Sequence, residues 1–249
     1  MLQIQTIQGV IDNLDIIIDW SKNHQSPMGY FATLYRRMTV AVKDGIQNNL
    51  FEDAQRMERL DIVFATRYLE AWEAFIHQQR CSNAWYTTFE ACKNDELVVL
   101  QHLIVGVNAH INLNLGIAAA NIAPGDKVFA LQNDFAKIND IISSLMQSVE
   151  NSLAKIWPPL LLIENIAGQQ QDVILNFSIE SARKTAWANA VALAFLQGDV
   201  RNTHINTIDA AVVTIANRVI NPGLITAGML KAVRLMEDKN VANNIKLLQ

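Results

Sequence analysis

Hydrophobic residues recur every three to four positions along most of this chain, and the alternating apolar and polar runs of β-hairpins are absent. Ser26-Pro27 opens one such stripe, with Ser suited to a helix N-cap and Pro to the first turn, and Tyr30, Leu34, Met38 and Ala41 continue it towards Gly45. A second segment, Phe51–Tyr68, places Met57, Leu60, Phe64 and Tyr68 on one side. A third opens at Asn133 or Asp134 and carries Phe135, Ile138, Ile142, Leu145, Val149 and Ile156 until Trp157-Pro158-Pro159 breaks it. Further helices are predicted from about Asp172 to Gly198 and from about Thr207 to Ile220, before Asn221-Pro222-Gly223. The fold class is therefore all-α: one domain over residues 1–249, a bundle of about seven to ten helices around a buried central helix. Residues 157–159 are the candidate seam between an N-terminal bundle and a C-terminal helical layer.

The central helix is predicted in the stretch Leu97–Gly125, which contains no formally charged residue. Its apolar residues are interleaved with Gln101, His102, Asn108, His110, Asn112 and Asn114. A membrane span needs only ~20 apolar residues, so length alone permits one. At about 100° per residue, however, His102, Gly106, His110 and Asn114 spread along one side while Gln101, Asn108 and Asn112 gather nearly opposite. A lone span with polar groups on both sides is expensive in lipid. The pattern instead predicts a core helix of a soluble protein, whose amides and imidazoles need partners because each unpaired one costs ~1–3 kcal/mol.

Charge and motifs narrow the function classes. A net charge of −4 on 249 residues, with no basic stripe, argues against nucleic acid as a partner. Cys81 and Cys92 form neither a disulfide framework nor a zinc knuckle, and the N-terminus lacks the features of a signal peptide, so a cytoplasmic location is expected. No P-loop, GxGxxG or GxSxG is present, and no cofactor is expected.

Acidic residues supply the candidate chemistry. Asp53 and Asp61 fall on the apolar side of Phe51–Tyr68, flanked by Arg56 and Arg67. A carboxylate facing a core is costly unless paired, most commonly with Arg or His. Asp53 and Asp61 are eight residues apart, and so are His102 and His110. Eight residues of α-helix rise ~12 Å, so antiparallel packing sets Asp53 against His110 and Asp61 against His102, and parallel packing swaps the partners. The same ~12 Å prevents both histidines from sharing one zinc ion, and neither HExxH nor Glu-x-x-His occurs. No metal is expected. A metal-dependent hydrolase using one of these histidines, one aspartate and more distant ligands is the alternative.

Four blocks carry a resemblance: GYFATLYRRMT (Gly29–Thr39), FEDAQRMERLD (Phe51–Asp61), LQHLIVGVNAHINLNLGIA (Leu100–Ala118) and DFAKIN (Asp134–Asn139). They resemble the hallmark blocks of an uncharacterised bacterial and fungal domain-of-unknown-function family, within residues 1–150 of this chain. The resemblance implies a helical, cytosolic-type protein and brings no established activity. It also implies Gly where Ala54 stands and Asp where Asn114 stands; the second departure removes a carboxylate from the histidine stripe.

The residues then support two levels of reading. Tyr30, Tyr35 and Met38 read as core, Arg36, Arg37 and Arg56 as ion-pair partners of Glu52, Asp53 and Asp61, and Asn108 and Asn112 as groups that fix helix register. On the functional reading, His102, His110, Asp53 and Asp61 are the catalytic candidates. Tyr30, Arg37, Arg56 and Asn108 line the same polar interior and contact a ligand. Three functions fit: an enzyme acting on a small, largely apolar molecule with a His/Asp acid–base pair, a small-molecule carrier or sensor, and a structural bundle whose buried network specifies the fold.

Overall fold

The computed structural model describes residues 4–156 and 178–249, and these form helices and connecting turns with no strand. The break at Trp157-Pro158-Pro159, the seam placed there and the predicted helical start at Asp172 lie outside the described residues. In chain order the helices are α1 (Ile7–Asn23), α2 (Met28–Gln47), α3 (Ala54–Ile76), α4 (Asn83–Ala91) and α5 (Val99–Asn108). A π-helical segment (Ala109–Leu115) joins α5 to α6 (Gly116–Ile122), and a 3₁₀ segment (Gly125–Leu131) leads into α7 (Gln132–Ile156). After the undescribed stretch come α8 (Ile179–Phe195), α9 (Gly198–Ile220), α10 (Leu224–Met236) and α11 (Val241–Leu248).

The charge-free segment is the centre of the bundle. From Val99 to Ile122 it is long and apolar enough to cross a membrane, yet every residue of its most apolar window is buried inside the protein. Helices α2, α3, α4, α8 and α9 pack around it. Two glycines permit the closest approaches. A Cβ at Gly106 would stand 2.6 Å from the Phe31 ring on α2, and one at Gly116 would stand 2.8 Å from the Ala186 carbonyl on α8.

Buried carboxylates tie distant helices together through backbone N–H groups. Asp209 on α9 accepts from the N–H groups of Asn83 and Ala84 at the start of α4. Glu237 accepts from Val99 N–H at the start of α5. Asp134 accepts from the N–H groups of Glu52 and Asp53, fixing the turn before α3. Helix N-termini expose unpaired donors and the positive end of the helix dipole, so an acid is favoured at each place.

Several boundaries differ from the sequence pattern. The buried face of α2 is led by Phe31, Tyr35, Thr39 and Val42, while Leu34, Met38 and Ala41 are only partly buried. Thr39 is tolerated inside because its hydroxyl donates to the Tyr35 carbonyl one turn earlier. Helix α9 begins at Gly198, well before Thr207, because its first turns carry mostly exposed polar residues and show no apolar stripe. The pair α9 and α10 turns through 64° around Asn221-Pro222-Gly223.

Candidate functional site

A cavity of about 700 Å³ lies between α2, α3, the central helix, α7 and the start of α8. Its wall is mostly apolar, with Leu34, Met38, Leu103, Val107 and Ile138 among the lining residues. Asp61 and His110 line it as well, together with Tyr35 and Phe64. This size lies within the ~300–1,000 Å³ of ordinary small-molecule sites.

His110 sits in the π-helical segment, a rare geometry that widens the helix and often marks functional positions. Its imidazole stacks on Phe64 at 3.6 Å between ring centres and meets Tyr35 at 4.2 Å and Phe31 at 5.4 Å. Neither ring nitrogen has a hydrogen-bond partner. Burial holds its pKa well below the usual histidine value, so the ring is neutral, offering one donor and one acceptor. One oxygen of the buried Asp61 carboxyl is also unpartnered. Burial first, and the neighbouring Glu58 charge second, push its pKa up to about 7. The Tyr35 hydroxyl makes no hydrogen bond of good geometry, although Thr39 lies close by; burial and the Asp61 charge raise its pKa. These three groups share one apolar chamber, with Tyr68 and Trp85, whose polar atoms are also unpartnered, packed behind His110.

The expected Asp–His contacts are not made: among the described residues no hydrogen bond or ion pair joins either histidine to either aspartate. His102 does not line the cavity. Its ring is 5.9 Å from Tyr30, and burial, with Arg234 adding repulsion, draws its pKa down to about 3. Tyr30 is turned towards α11, where its hydroxyl accepts from Asn244 at 3.4 Å. Asp53 is the N-cap of α3, accepting from Arg56 N–H at 2.8 Å, and its side chain is 44% exposed. Arg56 pairs with Asp134 at 2.9 Å; two backbone donors and this guanidinium outweigh the effect of burial and hold the Asp134 pKa below the usual range. Arg36 pairs with Asp15. Arg37 donates to Ser148, Ser152 and the Leu248 carbonyl. Arg56 and Arg37 thus work as ties between helices, with partners other than Glu52 or Asp61.

Asn108 also has structural partners. Its amide donates to the Val212 carbonyl on α9 at 2.9 Å and its oxygen accepts from Asn112 at 2.9 Å. Gln101 bridges likewise, donating to the Val219 carbonyl and accepting from Val98 N–H. Asn114, where the family resemblance implies Asp, accepts from Arg67 at 3.2 Å. Among the described residues no three His, Cys, Asp or Glu side chains gather in a way that could hold a metal ion.

The sequence pattern assigns Tyr35 to the core and does not single out Arg183, a buried cation on α8 that lines the cavity. Tyr35 follows Phe31 by one turn on the buried face of α2, so its burial is readable and its missing partner is not. Around Arg183 the buried positions are mostly alanines, which give α8 no clear apolar face.

A comparison with curated proteins finds no match, and neither does a comparison with solved structures. One family model does match, over residues 7–222, and its description is Family of unknown function (DUF5995). That span takes in every helix from α1 to α9, including the central helix and all the cavity walls, and the chain belongs to this family.

Proposed function

We propose that this protein binds a small, largely apolar molecule in the central cavity, with Asp61, Tyr35 and His110 as the polar groups that orient it. The observation carrying this reading is a mostly apolar cavity of about 700 Å³ whose lining includes Asp61, Tyr35 and His110, residues that each leave a buried polar atom without a hydrogen-bond partner. Each buried polar atom without a partner costs ~1–3 kcal/mol, so such groups persist where a bound molecule or water completes them. The free thiols Cys81 and Cys92, both raised in pKa by burial, suit a reducing, cytoplasmic setting, which belongs to the same proposal.

Proton transfer is the second reading, favoured by Asp61, whose pKa near 7 lets it give and take a proton at neutral pH. In that reaction Asp61 is the acid or base, and neutral His110 and Tyr35 position the substrate. Burial makes His110 hard to protonate, which favours Asp61 as the group that carries the proton.

Titration with the neutral fluorescent probe N-phenyl-1-naphthylamine tests the binding reading. Saturable binding at one site is expected, lost in Val107→Phe, which fills the cavity from the central helix. Absence of saturable binding, or binding unchanged in Val107→Phe, overturns the proposal. Asp61→Asn separates the two readings: it retains probe binding in both and abolishes turnover only in the second.

A further inference from the structure

Arg183 enters the fold in the second turn of α8 with 5% of its surface exposed, and it lines the cavity beside Asn139 and Ser143. Helix α7 holds its guanidinium. The Nε donates to Asn139 Oδ1 at 2.6 Å, one terminal nitrogen donates to the Phe135 carbonyl at 2.5 Å, and the group lies 4.5 Å from the centre of the Phe135 ring. All of these partners are neutral. Two carboxylates close in sequence to Arg183 and its partners have other cations: Glu180, which also lines the cavity, pairs with Lys184 at 2.7 Å, and Asp134 pairs with Arg56. Among the described residues no carboxylate forms an ion pair with Arg183, and its second terminal nitrogen makes no hydrogen bond. The start of α8 adds the positive end of a helix dipole to the same region. A buried charge without a counter-charge is costly, and here burial already lowers the guanidinium pKa to about 10.

We infer that the cavity takes a monocarboxylate with a hydrocarbon body, its carboxylate on Arg183 and its body along Leu34, Met38, Leu103 and Val107. This rests on the cavity being a binding site, as proposed above. The planar guanidinium fork suits a carboxylate, which can accept two parallel hydrogen bonds. Charge matching favours a single negative charge: one carboxylate matches the one buried cation, whereas a phosphate dianion adds excess charge to a cavity that Asp61 and Glu180 also line. The apolar wall then selects a ligand whose remaining surface is hydrocarbon.

Displacement of N-phenyl-1-naphthylamine by dodecanoate, 1-dodecanol and dodecyl phosphate provides the test. On the wild-type chain, dodecanoate should displace the probe at least ~10-fold more tightly than the alcohol, as expected for a charge-assisted hydrogen bond, and more tightly than the phosphate. Arg183→Gln should bring acid and alcohol to parity, and Arg183→Lys should keep part of the advantage. Equal displacement by acid and alcohol on the wild type, a stronger phosphate, or an acid advantage that survives Arg183→Gln overturns the inference and leaves the cavity reading standing. If Arg183→Gln does not fold, the wild-type comparison and Arg183→Lys decide. If the probe itself does not bind, or still binds Val107→Phe, the cavity reading fails and the inference falls with it.

Discussion

On the side of the central helix that meets α9, Gln101 donates to Val219, Asn108 to Val212 and Asn112 to Asn108, so each of these amides donates a hydrogen bond within the fold. Across the helix, where α2 and α3 approach, His110, Asp61 and Tyr35 are equally buried and have unpartnered polar atoms. The same solvent-free setting treats polar groups in opposite ways. Amides that register one helix against another complete their hydrogen bonds inside the fold. His110, Asp61 and Tyr35, which line the cavity, are left incomplete, which destabilises the protein and leaves bonding capacity for something else. The buried acids show the same division. Asp134, Asp209 and Glu237 accept from backbone donors, whereas Asp61 caps nothing.

Substitutions should separate the two regions by size of effect. Asp134→Ala removes the closer of the two carboxylates paired with Arg56 and leaves two backbone donors unsatisfied; urea unfolding should register a loss of ~3–5 kcal/mol. Asn108→Ala comes next, with ~1–3 kcal/mol, because it orphans the Asn112 amide and a contact to α9. At ~2–4 °C per kcal/mol for a chain of this size, that loss is readable as a lower melting temperature. Asp53→Ala removes an N-cap that is partly exposed, and calorimetry should find ~0.5–2 kcal/mol. Tyr35→Phe, on the cavity side, should change stability by less than ~0.5 kcal/mol while altering affinity for any ligand that uses its hydroxyl. A destabilisation by Tyr35→Phe as large as that by Asn108→Ala would erase the distinction between the faces.

Much of the fold was legible from periodicity alone. The all-α class, the burial of Leu97–Ala120 and the inward aspect of Asp61 all follow from spacing, because a side chain's face depends only on its position along a regular helix. The paired histidines and aspartates show where that logic stops. Their matched spacing assumes one straight α-helix, but the π-helical segment begins at Ala109 and changes the phase just where His110 sits. Asp53, on the apolar side by angle, stands at the helix end, where its role as a cap takes it out of the core. Asp134 and Arg56 are far apart in sequence, so neither betrays the other. Arg183 was hidden by the small residues around it, which pack closely against α6 without forming a recognisable stripe.

Asp61 is where the account is most exposed. Its carboxyl has a folded pKa of about 7 against an ordinary 3.8, so the folded protein holds its proton more tightly than the unfolded chain does. Below about pH 3 the group is protonated in both states and contributes nothing; as pH rises through 3.8 towards 7 it takes away stability, fully so above 7. His102, drawn down to about 3, works in the opposite direction over the acid range, so the informative quantity is a difference between two proteins. Unfolding free energies of the wild type and Asp61→Asn should be measured from pH 4 to pH 8. We predict near-equality at pH 4 and a growing advantage for Asp61→Asn, reaching ~2–4 kcal/mol at pH 8. An Asp61→Asn protein less stable than the wild type across that range would mean that Asp61 holds the fold together, contradicting its assignment to an open binding face.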